Sequence, residues 1–180
     1  MKRSALMIVF AATALLWPAG GQVAHASPKV AQLITFTNDS TGAKPNGWKS
    51  VDSNIASFRD SLGADLEVND FGSQSKGNAL AVNPDDQSFL EMTFSVPVCG
   101  LRLAFGNDDP TASNPGDKAL LRVANGPVTV GKRAVVMNRN DIMDQSIGFT
   151  GASFTNAAFW YAVTTSGLIE VVDDIAIVLC

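Results

Sequence analysis

The sequence predicts an all-β fold, a two-sheet antiparallel β-sandwich, and three observations carry that expectation. Apolar and polar residues alternate with period two over many short runs, which is the repeat of a strand with one buried face. Clusters of Asn, Asp, Gly and Pro separate those runs at close intervals, and ten or so strands at such spacing build a sandwich or a barrel. Only one stretch has a helical spacing, and it is short.

The chain opens on a leader. Lys2 and Arg3 precede an apolar stretch over residues 5–17, and Ala24-His25-Ala26 supplies small residues at a cleavage site. This is the pattern of a secretory signal peptide over residues 1–26, cut after Ala26. The apolar stretch falls short of the roughly 20 residues that span a bilayer. No second long apolar run follows and no cysteine lies near the cut to take a lipid. The mature chain, residues 27–180, is therefore expected to be one soluble, exported domain with no transmembrane segment.

Strand candidates then follow in order. Leu33, Thr35 and Thr37 alternate with Ile34, Phe36 and Asn38; Leu66 and Val68 flank Glu67; Phe89 and Glu91 alternate with Leu90 and Met92 and lead to Phe94; Leu101, Leu103 and Phe105 flank Arg102 and Ala104. Later runs cover residues 119–123, 134–137, 146–149, 157–163, 167–172 and 174–179. Turn residues stand between them at Asn46-Gly47, Asn83-Pro84-Asp85-Asp86, Asn107-Asp108-Asp109-Pro110, Asn114-Pro115-Gly116-Asp117 and Asn125-Gly126-Pro127. Val51, Ile55, Phe58 and Leu62 have the helical spacing, with Asp52 as a cap and Gly63 as a stop. The serines between them favour a strand around residues 55–58 instead. Residues 78–82 and 118–123 share a likeness too short to count as a repeat.

Charge and composition remove several functions. The whole chain has 13 basic and 17 acidic side chains, and the leader takes two of the basic ones and none of the acidic ones. The largest basic cluster is Lys132-Arg133, so a nucleic-acid partner, which needs a basic face, is not expected. His25 is the only histidine and leaves with the leader. Ser-His-Asp and Cys-His catalysis and histidine-ligated zinc leave with it. A carboxylate pair could still hydrolyse glycosides, but the glutamates are only Glu67, Glu91 and Glu170, and the first two sit where a solvent-facing acid is expected. Cys99 and Cys180 both survive processing. An even pair in an exported chain is commonly bonded, two separate thiols being the alternative. A bridge would close a loop of about 80 residues, for which chain entropy gives roughly 4 to 5 kcal/mol.

Asp173 and Asp174 lie inside an otherwise apolar run from Leu168 to Leu179. Unpaired ions buried in such a segment cost several kcal/mol, on the order of 5, so a partner is needed. A hard cation such as calcium, held by oxygens, could be that partner. A solvated acid on one face and a hydrogen-bonded acid on the other would need no metal.

The string Val172-Asp173-Asp174-Ile175, together with Phe105-Gly106-Asn107-Asp108-Asp109 and residues 140–147, resembles exported bacterial jelly-roll proteins of the PEP-CTERM-associated type. The Asp-Asp-Ile ending is also similar to that of MAM-type and carbohydrate-binding-module-like domains. The chain has no sorting tail after Cys180, so simple secretion is expected in place of surface sorting. The resemblance implies jelly-roll (galactose-binding-like) topology, no catalytic cofactor, and one structural calcium ion joining the first strand to the last. Asp173 or Asp174 would be the acid of that motif, Asn38 and Asp39 the donors after the first strand, and Asp108 and Asp109 a second candidate loop. Asn38-Asp39-Ser40 and Asn107-Asp108-Asp109-Pro110 are also plain turns.

Sugar binding needs an exposed aromatic ring with hydroxyl-binding groups around it. Trp48, beside a turn, is the first candidate, and Trp160 and Tyr161 the next, on adjacent positions that face opposite ways. All three could equally be packing residues. The expected function is a secreted, non-catalytic binding or adhesion module for extracellular or cell-surface carbohydrate. Its rivals are a structural matrix or surface protein without a glycan site and a carboxylate-pair glycosidase or lyase.

Overall fold

The computed structural model describes residues 32–83, 88–163 and 168–180. The expected leader (residues 1–26), the Pro84-Asp85-Asp86 turn and the start of the run at Gly167 lie outside the described residues. The described chain forms ten strands and one short 3₁₀ turn, Gly72–Gln74. In order the strands are β1 Gln32–Ile34, β2 Gly42–Lys44, β3 Ala56–Asp60, β4 Leu66–Asp70, β5 Asn78–Val82, β6 Leu90–Phe105, β7 Lys118–Asn125, β8 Val128–Val136, β9 Gln145–Ala162 and β10 Glu170–Leu179. Every pairing between them is antiparallel.

Two long strands, β6 and β9, run through both layers. The first half of β6 pairs with β3, from Leu90 opposite Asp60 to Phe94 opposite Ala56, and with the second half of β9. β7 and β8 continue that layer outward. We call β3-β6-β9-β7-β8 the front sheet. The second half of β6 pairs with β10 and with the first half of β9, and β5, β4 and β2 follow beyond β10. This is the back sheet, with β1 lying against the end of β10.

The register between β6 and β9 slips twice where the strands bend, between Thr93 and Val98 and again before Gly100. The slips matter because side chains alternate strictly along a strand. Leu90, Met92 and Phe94 face the core before the bend, and Leu101, Leu103 and Phe105 face it afterwards. The inward phase passes from even to odd numbers, so both halves bury their apolar face. Phe36, Phe58, Phe105, Phe154 and Phe159 are fully buried between the sheets. Phe154 meets Phe94 and Phe149 edge-on at the bend, with ring centroids 5.9 and 5.8 Å apart. The architecture is the expected all-β, two-sheet antiparallel sandwich of the jelly-roll class.

Several boundaries differ from expectation for one physical reason. The runs at 89–94 and 101–105 are a single strand, as are those at 146–149 and 157–163 and those at 168–172 and 174–179. Bulges interrupt their alternation without ending them. The stretch with helical spacing is the strand β3 with its flanking turns, and Val51 and Leu62 are 70% and 67% exposed. β5 shows no alternation because Ala79, Leu80, Ala81 and Val82 are all buried. A strand covered on both faces reads as a continuous apolar run.

Cys99 and Cys180 are bonded, with Cα atoms 5.0 Å apart across 81 positions of sequence. The bridge ties the end of the last strand to the bend of β6, beside the Leu179 and Val98 pair. Reduction, or the double change Cys99→Ser with Cys180→Ser, is expected to lower unfolding free energy by up to about 4 to 5 kcal/mol. Denaturant titration with and without reductant measures it.

Candidate functional site

The two outer faces of the sandwich are treated differently. On the back sheet, Ala79, Ala81, Ala104 and Val171 point away from the main core yet are buried, under Met143 and with Phe71 and Ile169 packed against them. Two loops make this cover, residues 71–76 and 138–145. The Met143 amide donates to the Ser73 carbonyl at 2.9 Å, and Gln74 Nε2 donates to Asp141 Oδ1 at 2.7 Å. The cover lies directly on Gly106, where a Cβ would stand 2.6 Å from Met143 Cα and 2.9 Å from the Gln74 carbonyl. Only a glycine allows that approach.

Asp108 holds the cover in place. Its carboxylate accepts the backbone amides of Arg139 at 2.6 Å and Asp141 at 2.7 Å. Both donors have left-handed backbones, φ +61° and +58°, a conformation that costs a non-glycine residue about 1 kcal/mol or more. The Arg139 guanidinium donates in turn to the carbonyls of Pro110 and Ser113, each at 2.6 Å. Asp109 closes its own turn by accepting the Thr111 amide and hydroxyl at 2.7 and 2.8 Å. Those two bonds hold its carboxyl below the usual carboxylate range.

The Asp173-Asp174 pair forms a bulge. Between Asp173 and Ala176 β10 has one residue more than β6, and Asp174 takes φ +47°. β10 changes its second neighbour at this point, from β5 to β1. Asp174 points outward to the Lys76 ammonium at 2.8 Å, a cation of the same chain. Asp173 is 1% exposed and accepts the Asp174 amide at 2.7 Å. Burial first of all, with the Asp174 charge adding to it, raises its carboxyl to about 6.

The donors expected for calcium do not fit such an ion. Both oxygens of Asp39 are turned to donors, the Ser50 hydroxyl at 2.5 Å and the Val51 amide at 2.9 Å. Asn38 is exposed. Asp173 faces an amide and Asp174 an ammonium. Among the described residues no three His, Cys, Asp or Glu side chains gather to share a metal. The first and last strands are joined by backbone pairing, Ile34 opposite Ile175.

Among the described residues the front sheet carries no cover of this kind. Its register sets outward-facing side chains in rows across the strands. Arg59 stands opposite Glu91, Glu91 opposite Ala158, Ala158 opposite Arg122, and Arg122 opposite Lys132. One pair step along, Trp160 stands opposite Leu120, and its ring lies 4.9 Å from that of Phe89. One pair step the other way, Thr93 stands opposite Asn156. Arg59 and Glu91 approach to 3.6 Å, both well solvated, so that pair adds little stability. A cavity of about 330 Å³ opens on this face, lined by Arg59, Glu91, Arg122, Asn156, Pro127 and Thr129 among others. Its wall is the β7–β8 turn, fixed by the Gly126 amide on Asn156 Oδ1 at 3.3 Å and by Asn125 Nδ2 on the Ser153 carbonyl at 3.0 Å.

The expected aromatics divide between core and surface. Tyr161 faces inward against Phe105 and Phe159, its hydroxyl deeply buried and raised well above its ordinary value by burial and then by the Glu170 charge. Trp48 closes one end of the core against Phe36 and Phe58, with the Lys44 ammonium 5.5 Å from its ring centre. Trp160 alone joins the open face. Arg59, Glu91, Arg122, Asn156 and Phe89 were not candidates from sequence, because only strand register reveals that they stand in adjacent rows.

No protein-family model matches the sequence, and no curated protein matches it. Among solved structures, an arabinose-bound α-L-arabinofuranosidase is similar over 83% of this chain at 14% identity and a TM-score of 0.49, and this chain spans 26% of that one's length. A xylan-binding domain from Paenibacillus barcinonensis is similar over 85% of this chain and 96% of that one, at 8% identity and a TM-score of 0.47. The C-terminal family 22 carbohydrate-binding module of Clostridium thermocellum is similar over 86% and 96%, at 10% and 0.46.

Two outcomes follow from the acid pair. Inside the fold the Asp173 carboxyl ionises near pH 6, against 3.8 as its ordinary value, so the folded state binds the extra proton between those limits. This group's contribution is therefore most favourable below about pH 4 and is lost as pH rises through 6. Asp173→Asn keeps an acceptor for the Asp174 amide, and at pH 7 it is expected to stabilise by up to about 3 kcal/mol. The gain should shrink towards zero near pH 4 in melting curves of both forms. Melting curves with millimolar calcium and with chelator are expected to superpose, a ligand of the folded state being required to separate them.

Proposed function

We propose that the chain is an exported, non-catalytic binding module whose ligand is extracellular or cell-surface carbohydrate. One observation carries this. Among the described residues the front sheet has no cover, and it sets the Phe89 and Trp160 rings one pair step along from a cavity of hydrogen-bonding side chains. A half-exposed indole offers a face for a sugar ring, and arginine, glutamate, asparagine and threonine suit its hydroxyls. The cavity is within the size range of small-ligand sites, roughly 300 to 1,000 Å³.

Among the described residues that line the cavity, Glu91 is the one acid. Glycoside hydrolysis by a carboxylate pair needs a second, which favours binding over turnover. The Cys99–Cys180 bridge belongs to an oxidising compartment, in keeping with export through the expected leader. Among the described residues no helix is long and apolar enough to cross a membrane.

Affinity electrophoresis against a panel of soluble polysaccharides tests the proposal. Retardation by at least one polymer is expected. Trp160→Ala should weaken it about three- to tenfold, the equivalent of about 1 kcal/mol, while leaving the melting temperature nearly unchanged. Trp48→Ala should instead lower the melting temperature and spare retention. Folded protein that no polymer retards would be a structural component.

A further inference from the structure

The front sheet is far more basic than the chain that carries it. Lys118 and Arg122 of β7, Arg59 of β3 and Lys132 of β8 all project from this face, and among the described residues Glu91 is the one acid in the same rows. The whole chain has a formal charge of −4. Arg122 is half-buried at the cavity floor, and among the described residues its guanidinium makes no hydrogen bond or ion pair. Its direct neighbour across the ladder is another cation, Lys132. Like charges in that position repel.

The cavity also carries two guanidinium groups against one carboxylate. Arg59 and Arg122 have only N–H groups to offer, and Asn156 Oδ1 is already engaged by the Gly126 amide. Glu91 and the hydroxyls of Thr93 and Thr129 remain as acceptors, and Glu91 is the charged one. A neutral sugar hydroxyl both gives and takes a hydrogen bond, whereas a carboxylate only takes them and matches the planar guanidinium fork.

We propose that the cavity takes the carboxylate of an acidic sugar, Arg122 receiving it with Lys132 next to it on β8 and Arg59 at the far side of the cavity, so that the ligand is a uronate-bearing polysaccharide. The inference rests on the carbohydrate-binding proposal and names its ligand class.

The test uses polygalacturonate and the same polymer after reduction of its carboxyl groups, with single-stranded DNA as a competitor. Wild-type protein is expected to bind polygalacturonate at least tenfold more tightly than the reduced polymer. Arg122→Gln and, separately, Lys132→Gln should each keep the wild-type melting curve; the first should weaken polygalacturonate about tenfold and the reduced polymer by clearly less. Glu91→Gln should tighten polygalacturonate binding. Equal affinity for both polymers overturns the acidic ligand while leaving the carbohydrate proposal standing, and binding to neither overturns both. Binding that survives both changes, or that DNA displaces as readily as free polygalacturonate does, would mark a generic polyanion effect and overturn the inference. If Arg122→Gln fails to fold, Lys132→Gln decides alone, an unchanged affinity counting against the site.

Discussion

The register of β6 against β9 is the constraint on which the molecule depends. These strands leave one sheet and enter the other, and a two-residue period carried unbroken through the bend would turn Leu101, Leu103 and Phe105 to the outside. Each such side chain contributes roughly 1.5 to 3 kcal/mol when buried. Three of them amount to a large part of the roughly 5 to 15 kcal/mol that holds a domain folded. The slips beside Val98 are therefore what makes one continuous ladder into a sandwich. The disulfide stands at the same place, holding the end of β10 to Cys99, so the bend is fixed by covalent geometry as well as by packing.

From that bend follow two outer faces with different fates. The back face is built of alanines and valine that could not stay in water as a patch, and two loops cross it. Loops on a sheet face must satisfy their own backbone groups, and the acids do this work. Asp108 accepts two amides of the cover, Asp39 fixes the turn at Ser50 and Val51, and Asp173 accepts the amide of the bulged residue beside it. The Asn and Asp residues that look like ligand donors are largely occupied in making turns. Asp173 is the costly member of this set, since it is buried at a bulge with the Lys76 charge directed at its neighbour.

The class of fold was legible in the sequence because period-two alternation survives wherever one face is buried, as in β3, β4 and β7. Turn chemistry placed the β7–β8 hairpin correctly, Asn125 pairing with Val128 around Gly126 and Pro127. What stayed hidden was whatever depends on contacts between distant segments. β5 gave no alternation because loops cover its far side, and the continuity of β6, β9 and β10 was masked by their bulges. The partner foreseen for the acid pair was a metal ion such as calcium, whereas the lysine that meets Asp174, 98 positions away, leaves no local signal. The open face was the least legible part. Trp160 could be nominated from its residue type, whereas Arg59, Glu91 and Arg122 gain meaning only when three ladders place them in one row.

Basic residues on a sheet can have a simpler purpose, and the face has to be weighed against it. β8 is an edge strand, and lysine or arginine on an edge discourages pairing with another chain. That accounts for Lys132 and Arg133, the second of which also lies over the Phe149 ring at 5.1 Å. It does not account for Arg122, which sits on β7 between β8 and β9, away from any edge. An interior position opposite Lys132 and facing a cavity would suit threonine or glutamate better for stability alone, since either would relieve the cross-strand repulsion. The face thus retains an unfavourable charge pair that folding does not require. Its placement at a cavity one pair step from the half-buried Trp160 is the arrangement expected where an incoming anion completes the row.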